Sequence, residues 1–224
     1  MMTDRLSRTG LLRMVAGAAV QIRQHHTSLS ELDSATGDGD HGTAMLRCAD
    51  RIEKAMASGP TNCIKTCFDR IGWAVFDADG GASSSLLGTF FLGMRDGISE
   101  SVSSLDCQQL SVAFESGLKA LRRQTAAQLG DKTMMDALIP AVEAFAVAAR
   151  ESKDIETGLE RAARAATIGA EATENLTARH GRARFLGEKT RGHEDPGAAS
   201  TALLFQGFYD GLRESKGEAG NARP

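Results

Sequence analysis

Apolar residues recur at spacings of three and four along most of the chain, and strict alternation of apolar and polar residues persists nowhere. The first such run covers 4–29, where Leu11, Val15, Ala18, Ala19 and Ile22 fall on one face. The same periodicity predicts helices over 41–57, 62–76, 83–96, 104–129, 132–152, 154–179 and 196–214. The second of these ends near Gly59-Pro60, and Ser104 or Asp106 caps the fifth. The stretch 83–96 is apolar nearly all round, which marks a buried helix. Pro140 sits inside the sixth segment and predicts a kink there. Asp154 suits the N-cap of the seventh, and Pro196 suits the first turn of the last. From Lys216 the sequence turns polar and glycine-rich, as a frayed tail would. The pattern therefore describes an all-α chain of about eight helices, with no internal repeat and no linker to a second domain.

Composition supports this reading and removes several function classes. Good helix formers dominate, and aromatic residues make up only 5% of the 224 residues. Hydrophobic residues at 42% and charged residues at 25% are those of an ordinary folded domain, long enough to bury a substantial core. A net charge of −3 without a basic block disfavours nucleic acid as a partner. The apolar part of the N-terminal segment is short and interrupted by Arg13 and Arg23, so neither a signal peptide nor a membrane span is expected. Cys48, Cys63, Cys67 and Cys107 form no CxxC, so they read as free thiols in a reducing compartment, the cytoplasm, rather than as a zinc site.

Three connections stand out as candidate chemistry: 30–41, 77–83 and 180–196. They are rich in Gly, Asp and His, and loops on a rigid scaffold are where function concentrates. The first carries Asp33, Asp38 and Asp40 with Gly37, Gly39 and Gly42 between and after them. Three carboxylates so close together repel one another, and a hard divalent cation such as Mg2+ removes that repulsion through oxygen ligation. The bland alternative is a solvated acidic turn in which Asp40 caps the next helix. The second connection, Gly80-Gly81-Ala82-Ser83-Ser84-Ser85, leads straight into an apolar helix and suits an anion cradle made of free N–H groups. In the third, Arg182 offers a cationic fork for phosphate, and Asp195-Pro196-Gly197 opens the final helix. A simple Ser cap and a charged surface loop are the ordinary readings of these two.

Several familiar patterns fail on inspection. Gly37-x-Gly39-x-x-Gly42 satisfies GxGxxG, but no strand precedes it and its own aspartates would repel a pyrophosphate. A calcium loop started at Asp38 would place Gly42 fifth and Ala49 twelfth, where acids are needed. Gly130-Asp131-Lys132-Thr133 suggests the end of a Walker A loop, but Asp131 splits the Gly-Lys pair. That segment reads better as a helix start, with Met134 placed either in the core or against a flat ring such as adenine.

Taken together, GDGDHG, GGAS followed by LxGTFF, GDKTMxDALxP and GRAxxLGExxxGHxDPGAxS occur in this order. They resemble the L subunit of dihydroxyacetone kinases, equivalent to the C-terminal domain of the fused ATP-dependent kinases, over residues 5–213, which leaves 214–224 as a polar tail. The resemblance implies a single-domain antiparallel eight-helix barrel with the nucleotide-binding loops at one end. It implies two Mg2+ ions on Asp33, Asp38 and Asp40, bridging the phosphates of ADP or ATP. Nucleotide contacts fall on His41, Gly42, Thr43, Ala44, Ala82, Ser83, Met134, Arg182, Asp195, Pro196 and Gly197. In phosphoryl transfer, positioning and charge stabilisation supply most of the catalysis, so Asp33, Asp38, Asp40 and Arg182 would be the catalytic groups and no protein nucleophile is required.

Two positions depart from the family pattern. Ser84 stands where a glycine is usual, and at positive φ it would cost about 1 kcal/mol. Thr125 replaces a family glycine and is left outside the expected site. The family holds its ketose, dihydroxyacetone or a similar short sugar, covalently on a histidine of a separate K subunit, and nothing like that subunit occurs here. A partner is therefore expected. Either ATP binds and leaves as ADP, or resident ADP is rephosphorylated by a phosphohistidine protein of the sugar phosphotransferase system. A nucleotide-binding regulator acting through protein contacts is the alternative from another class. A ligand-free helical scaffold sits poorly with three acids in one glycine loop.

Overall fold

The computed structural model describes residues 5–57, 59, 61 and 63–220, of which 214–220 are described by their backbone only. Expectations resting on Asp4, Pro60, Asn62 and 221–224 lie outside the described residues. Among the described residues, eight α-helices follow in order: α1 (Arg8–Thr36), α2 (His41–Ala57), α3 (Ile64–Phe76), α4 (Gly81–Asp96), α5 (Cys107–Leu121), α6 (Met135–Arg150), α7 (Ile155–Ala172) and α8 (Pro196–Gly220). Short 3-10 turns occupy Thr173–Asn175 and Ala183–Thr190. Each helix packs on its neighbour in sequence, and α8 returns to α1, which closes the ring. The fold is the all-α class that the periodicity dictates.

Local chemistry sets the helix ends. The Ser7 hydroxyl accepts the Gly10 N–H at 3.3 Å at the start of α1. Asp106 and Gln109 form a reciprocal capping box at α5, with bonds of 2.8 and 3.0 Å. Asp154 accepts the Thr157 N–H at 2.8 Å at α7. Leu6–Ser7 (β1) and Ser104–Leu105 (β2) pair antiparallel, with buried Leu6 opposite buried Leu105. Two-residue strands leave no periodic trace, so the sequence pattern did not predict them.

The interior is sealed by phenylalanine. Phe90, Phe91, Phe114, Phe145, Phe205 and Phe208 come from α4, α5, α6 and α8, are essentially fully buried, and meet at centroid distances of 5.0–6.5 Å. Each ring contributes roughly 1.5–3 kcal/mol through removal from water. The closing pair α1 and α8 touches backbone to backbone. A Cβ on Gly17 would lie 2.2 Å from the Gly207 carbonyl oxygen, so only glycine permits that approach.

Several boundaries differ from those predicted by pattern alone. α1 continues to Thr36 instead of stopping near Leu29, because its last turns are polar only on the solvent side while Leu29 and Thr36 are buried. The first connection shrinks to Gly37–Asp40. α5 ends at Leu121, so 122–134 forms a long irregular segment. α6 runs continuously through Pro140. The missing Pro140 N–H leaves the Asp136 carbonyl four residues back without its helical donor. Gly169 of α7 packs against that carbonyl, where a Cβ would come within 2.0 Å. α8 continues to Gly220, past the expected end near Glu214.

Candidate functional site

The even-numbered helices begin at one end of the ring, and α1 and α3 finish there. A cavity of about 690 Å³ opens at that end. Its wall includes His41 at the start of α2, Gly81 to Ser83 at the start of α4, Met134 and Met135 at the start of α6, and Pro196 and Gly197 at the start of α8. Helix N-termini carry orphan N–H groups and partial positive charge, so four of them aimed at one space favour an anion there. Their summed field rests on the backbone.

Three carboxylates stand within that positive frame. Asp33 projects from the last turn of α1, and Asp38 and Asp40 from the four-residue link to α2. One oxygen from each lies within 4.8 Å of the others, and among the described residues this is the group able to hold a metal ion. The link closes tightly because Gly39 adopts φ +77°, a conformation that suits glycine. Asp33 also accepts the His41 N–H at 3.2 Å, which ties the end of α1 to the start of α2. Asp40 caps α2 with its main chain, taking the Ala44 N–H at 2.9 Å. Asp38 forms an ion pair with Arg182, reaching across from the connection after α7. The donor set is all oxygen, the hard ligation that Mg2+ requires, so the residues present fit that ion.

His41 braces the floor. It is buried, with Nε2 2.9 Å from the Ser200 hydroxyl of α8 and Nδ1 3.2 Å from the Ser83 hydroxyl of α4. Burial lowers its pKa despite the nearby charges of Asp33 and Asp40, so the ring is neutral at pH 7 and links three helices as a hydrogen-bonding spacer. Ser84 resolves the glycine question. The positive φ in this turn falls on Asp79 and Gly81, not on Ser84. Ser84 lies inside α4, buried, with its hydroxyl accepting the Gly80 N–H at 3.0 Å and donating to the Gly81 carbonyl at 3.2 Å. The serine stiffens the turn without backbone strain.

The opposite wall is built on buried charge. Asp136 accepts the N–H groups of Gly130 and Thr133 at 2.5 and 2.8 Å, and burial raises its pKa. Asp195 accepts the Ala198 N–H at 2.8 Å as the side-chain cap of α8. Burial pushes its pKa up to about 7, against the pull of that bond and of Lys132. Desolvation lowers the pKa of Lys132, and the surrounding acids Asp195, Asp136, Glu174 and Glu194 oppose the shift.

Of the residues singled out in the sequence, Asp33, Asp38, Asp40, His41, Ala82, Ser83, Met134, Arg182, Asp195, Pro196 and Gly197 all line this one cavity. Gly42, Thr43 and Ala44 do not. Gly42 faces α1, where a Cβ would sit 1.8 Å from the His26 carbonyl oxygen. Thr43 is exposed, and the Ala44 N–H is already engaged by Asp40. Thr125, left outside the expected site, lines the cavity beside Gln124. Lys132, Ser200 and His180 are further wall residues that periodicity could not single out, because a long-range fold brings them together. The only local signal was the Gly-Asp-Lys-Thr run around Lys132.

Comparison with known proteins matches the DAK2 domain family over residues 35–210. The chain is 33% identical over 194 residues to the ADP-binding subunit DhaL of PEP-dependent dihydroxyacetone kinase 1 of Listeria innocua, covering 87% of this chain and 91% of that one. The DhaL subunit of the PEP-dependent kinase of Escherichia coli is 31% identical, with 90% and 95% coverage. L-erythrulose 1-kinase of Mycolicibacterium smegmatis is 36% identical over 84% of this chain but only 33% of its own length. The solved dihydroxyacetone kinase of C. freundii, in complex with AMP-PNP and Mg2+, superposes with a TM-score of 0.68 at 28% identity, and this chain spans 88% of itself and a third of that protein. These relatives are phosphotransferases by name. The aspartate link, the glycine-serine turn and the helix starts around one cavity thus occur in a chain that belongs to the DAK2 domain family, as a DhaL-type member.

Proposed function

We propose that this chain is the nucleotide-binding subunit of a short-ketose kinase, passing a phosphoryl group from an adenine nucleotide to a ketose held by a separate K subunit. The observation that carries it is the convergence of three carboxylates and four helix N-termini on one cavity. Carboxylates alone would repel a nucleotide, and helix starts alone would bind any anion. Together they suit a metal–phosphate complex.

Asp33, Asp38 and Asp40 would hold the divalent cations, two in the proposed form. When bound, the metal neutralises phosphate oxygens and keeps the transferring group aligned. The chain's own residues do the rest. The starts of α2 and α4 face the phosphates with their partial positive charge, and Ser83 adds a hydroxyl. Arg182 leaves Asp38 to reach the phosphates as charge develops on them. Met134 packs against the adenine ring. Asp195, Pro196 and Gly197 close the far side. The acceptor, dihydroxyacetone or a similar ketose, arrives on the partner, as the likeness to subunits of dihydroxyacetone kinases suggests. The relatives named as ADP-binding and PEP-dependent support resident ADP, rephosphorylated by a phosphohistidine phosphotransferase protein.

The test is to acid-quench dialysed protein, identify any released nucleotide, and then supply a K subunit with dihydroxyacetone. Near-stoichiometric ADP with turnover driven only by the phosphohistidine carrier supports the resident-cofactor form. An empty protein that turns over with Mg·ATP supports the exchanging form. No nucleotide binding and no transfer with either donor rejects the proposal.

A further inference from the structure

Lys132 is 3% exposed and adopts φ +59°, a backbone state that non-glycine residues seldom enter. A lysine in a phosphate-binding cavity would ordinarily be assigned to the phosphates. Here its ammonium is committed elsewhere. Nζ donates to the Thr173 carbonyl at 2.6 Å and also to the His193 carbonyl. These carbonyls belong to two separate segments, the end of α7 and the link into α8. Thr173 is fully buried, and its hydroxyl accepts the Asp195 N–H at 2.8 Å while donating to the Ala170 carbonyl at 2.5 Å. The Gly192 N–H meets the Glu174 carbonyl at 2.9 Å alongside. Lys132 and Thr173 therefore clamp the main chain on both sides of Glu194. On its own side, Lys132 lies two residues before Met134, which packs at the start of α8, where a Cβ on Gly197 would stand 3.5 Å from the Met134 nitrogen.

We propose that Lys132 is a positioning residue for the nucleotide site, its ammonium pinning the Thr173 and His193 carbonyls so that the Asp195–Gly197 wall is held in register with the Thr133–Met134 wall. This rests on the nucleotide reading above and deepens it. It assigns the lysine to the backbone of the pocket rather than to the ligand. Hydrogen bonds from a charged donor are among the stronger ones, and a wall released from them should weaken binding about tenfold.

The test compares Lys132→Met, which keeps the apolar stem and removes the ammonium, with Thr173→Val, which keeps the shape and removes the Asp195 acceptor. Mg·ADP is titrated at a temperature where circular dichroism shows each variant folded, and amide exchange over 192–198 is followed in nucleotide-free protein. Both variants should bind Mg·ADP at least about tenfold more weakly, exchange faster over 192–198, and lose little more when combined, because they break one clamp. Thr173→Val carries the result should Lys132→Met not fold. Variants that bind within about twofold of the parent overturn the assignment. A parent that binds no Mg·ADP rejects the nucleotide reading instead, and unchanged exchange over 192–198 would then overturn the clamp as well.

Discussion

Asp40→Asn should make the metal-free protein more stable and remove most of its response to Mg·ADP. The carboxylate oxygens of Asp33, Asp38 and Asp40 lie within 4.8 Å of one another. At that separation each pair of charges repels by about 0.9 kcal/mol in the dielectric of water, the appropriate limit because Asp38 and Asp40 are exposed. Neutralising Asp40 removes two such pairs. It also removes a negative charge from the N-terminus of α2, which costs about 0.5 kcal/mol. The net gain is about 1 kcal/mol, or roughly 2–4 °C in melting temperature for a chain of this size. Mg·ADP at a hundred times its dissociation constant should stabilise the parent by about 2.7 kcal/mol, and the variant by far less. Scanning calorimetry of both proteins, in EDTA and in Mg·ADP, reads the two differences together. A variant that is less stable in EDTA, or that gains as much from Mg·ADP as the parent, would refute the shared-metal account.

Gly42→Ala should lower stability by about 1–3 kcal/mol, because the new Cβ would overlap the His26 carbonyl oxygen, and chemical denaturation measures the loss. Asp195→Asn should stabilise the protein above pH 7, since amide and carboxylate can both cap α8. With a pKa of about 7 in the fold and 3.8 as its ordinary value, Asp195 holds its proton more tightly when folded, so the parent loses stability as pH rises from about 4 to 7. The advantage of the variant should therefore vanish by pH 4, as melting curves across pH would record. Arg182→Gln frees Asp38 of its ion pair, so free Mg2+ should bind more tightly while Mg·ADP binds more weakly, a split that calorimetric titration resolves.

Much of the fold was legible because helix periodicity survives in isolation. The apolar face of α1, the caps at Asp106 and Asp154, and the buried character of α4 all follow from local sequence. The limits lay at polar ends. α1 runs seven residues past Leu29, where the pattern ended it, because burial of Thr36 is decided by tertiary packing. The aspartate cluster was visible since its three members lie within eight residues. The place of Lys132, Thr125 and Ser200 in the site was not, since their shared wall exists only once the long connection after α5 meets α8. Gly42 was legible as a candidate nucleotide contact, whereas its packing against the His26 carbonyl needs the approach of α1.

The most direct measurement is a calorimetric titration of ADP into the protein with Mg2+ present and again in excess EDTA, repeated with Asp40→Ala. Saturable one-to-one binding in Mg2+ that disappears in EDTA and in the variant is the predicted result. Equal affinity with and without the metal, or in parent and variant, would contradict a nucleotide site built on Asp33, Asp38 and Asp40.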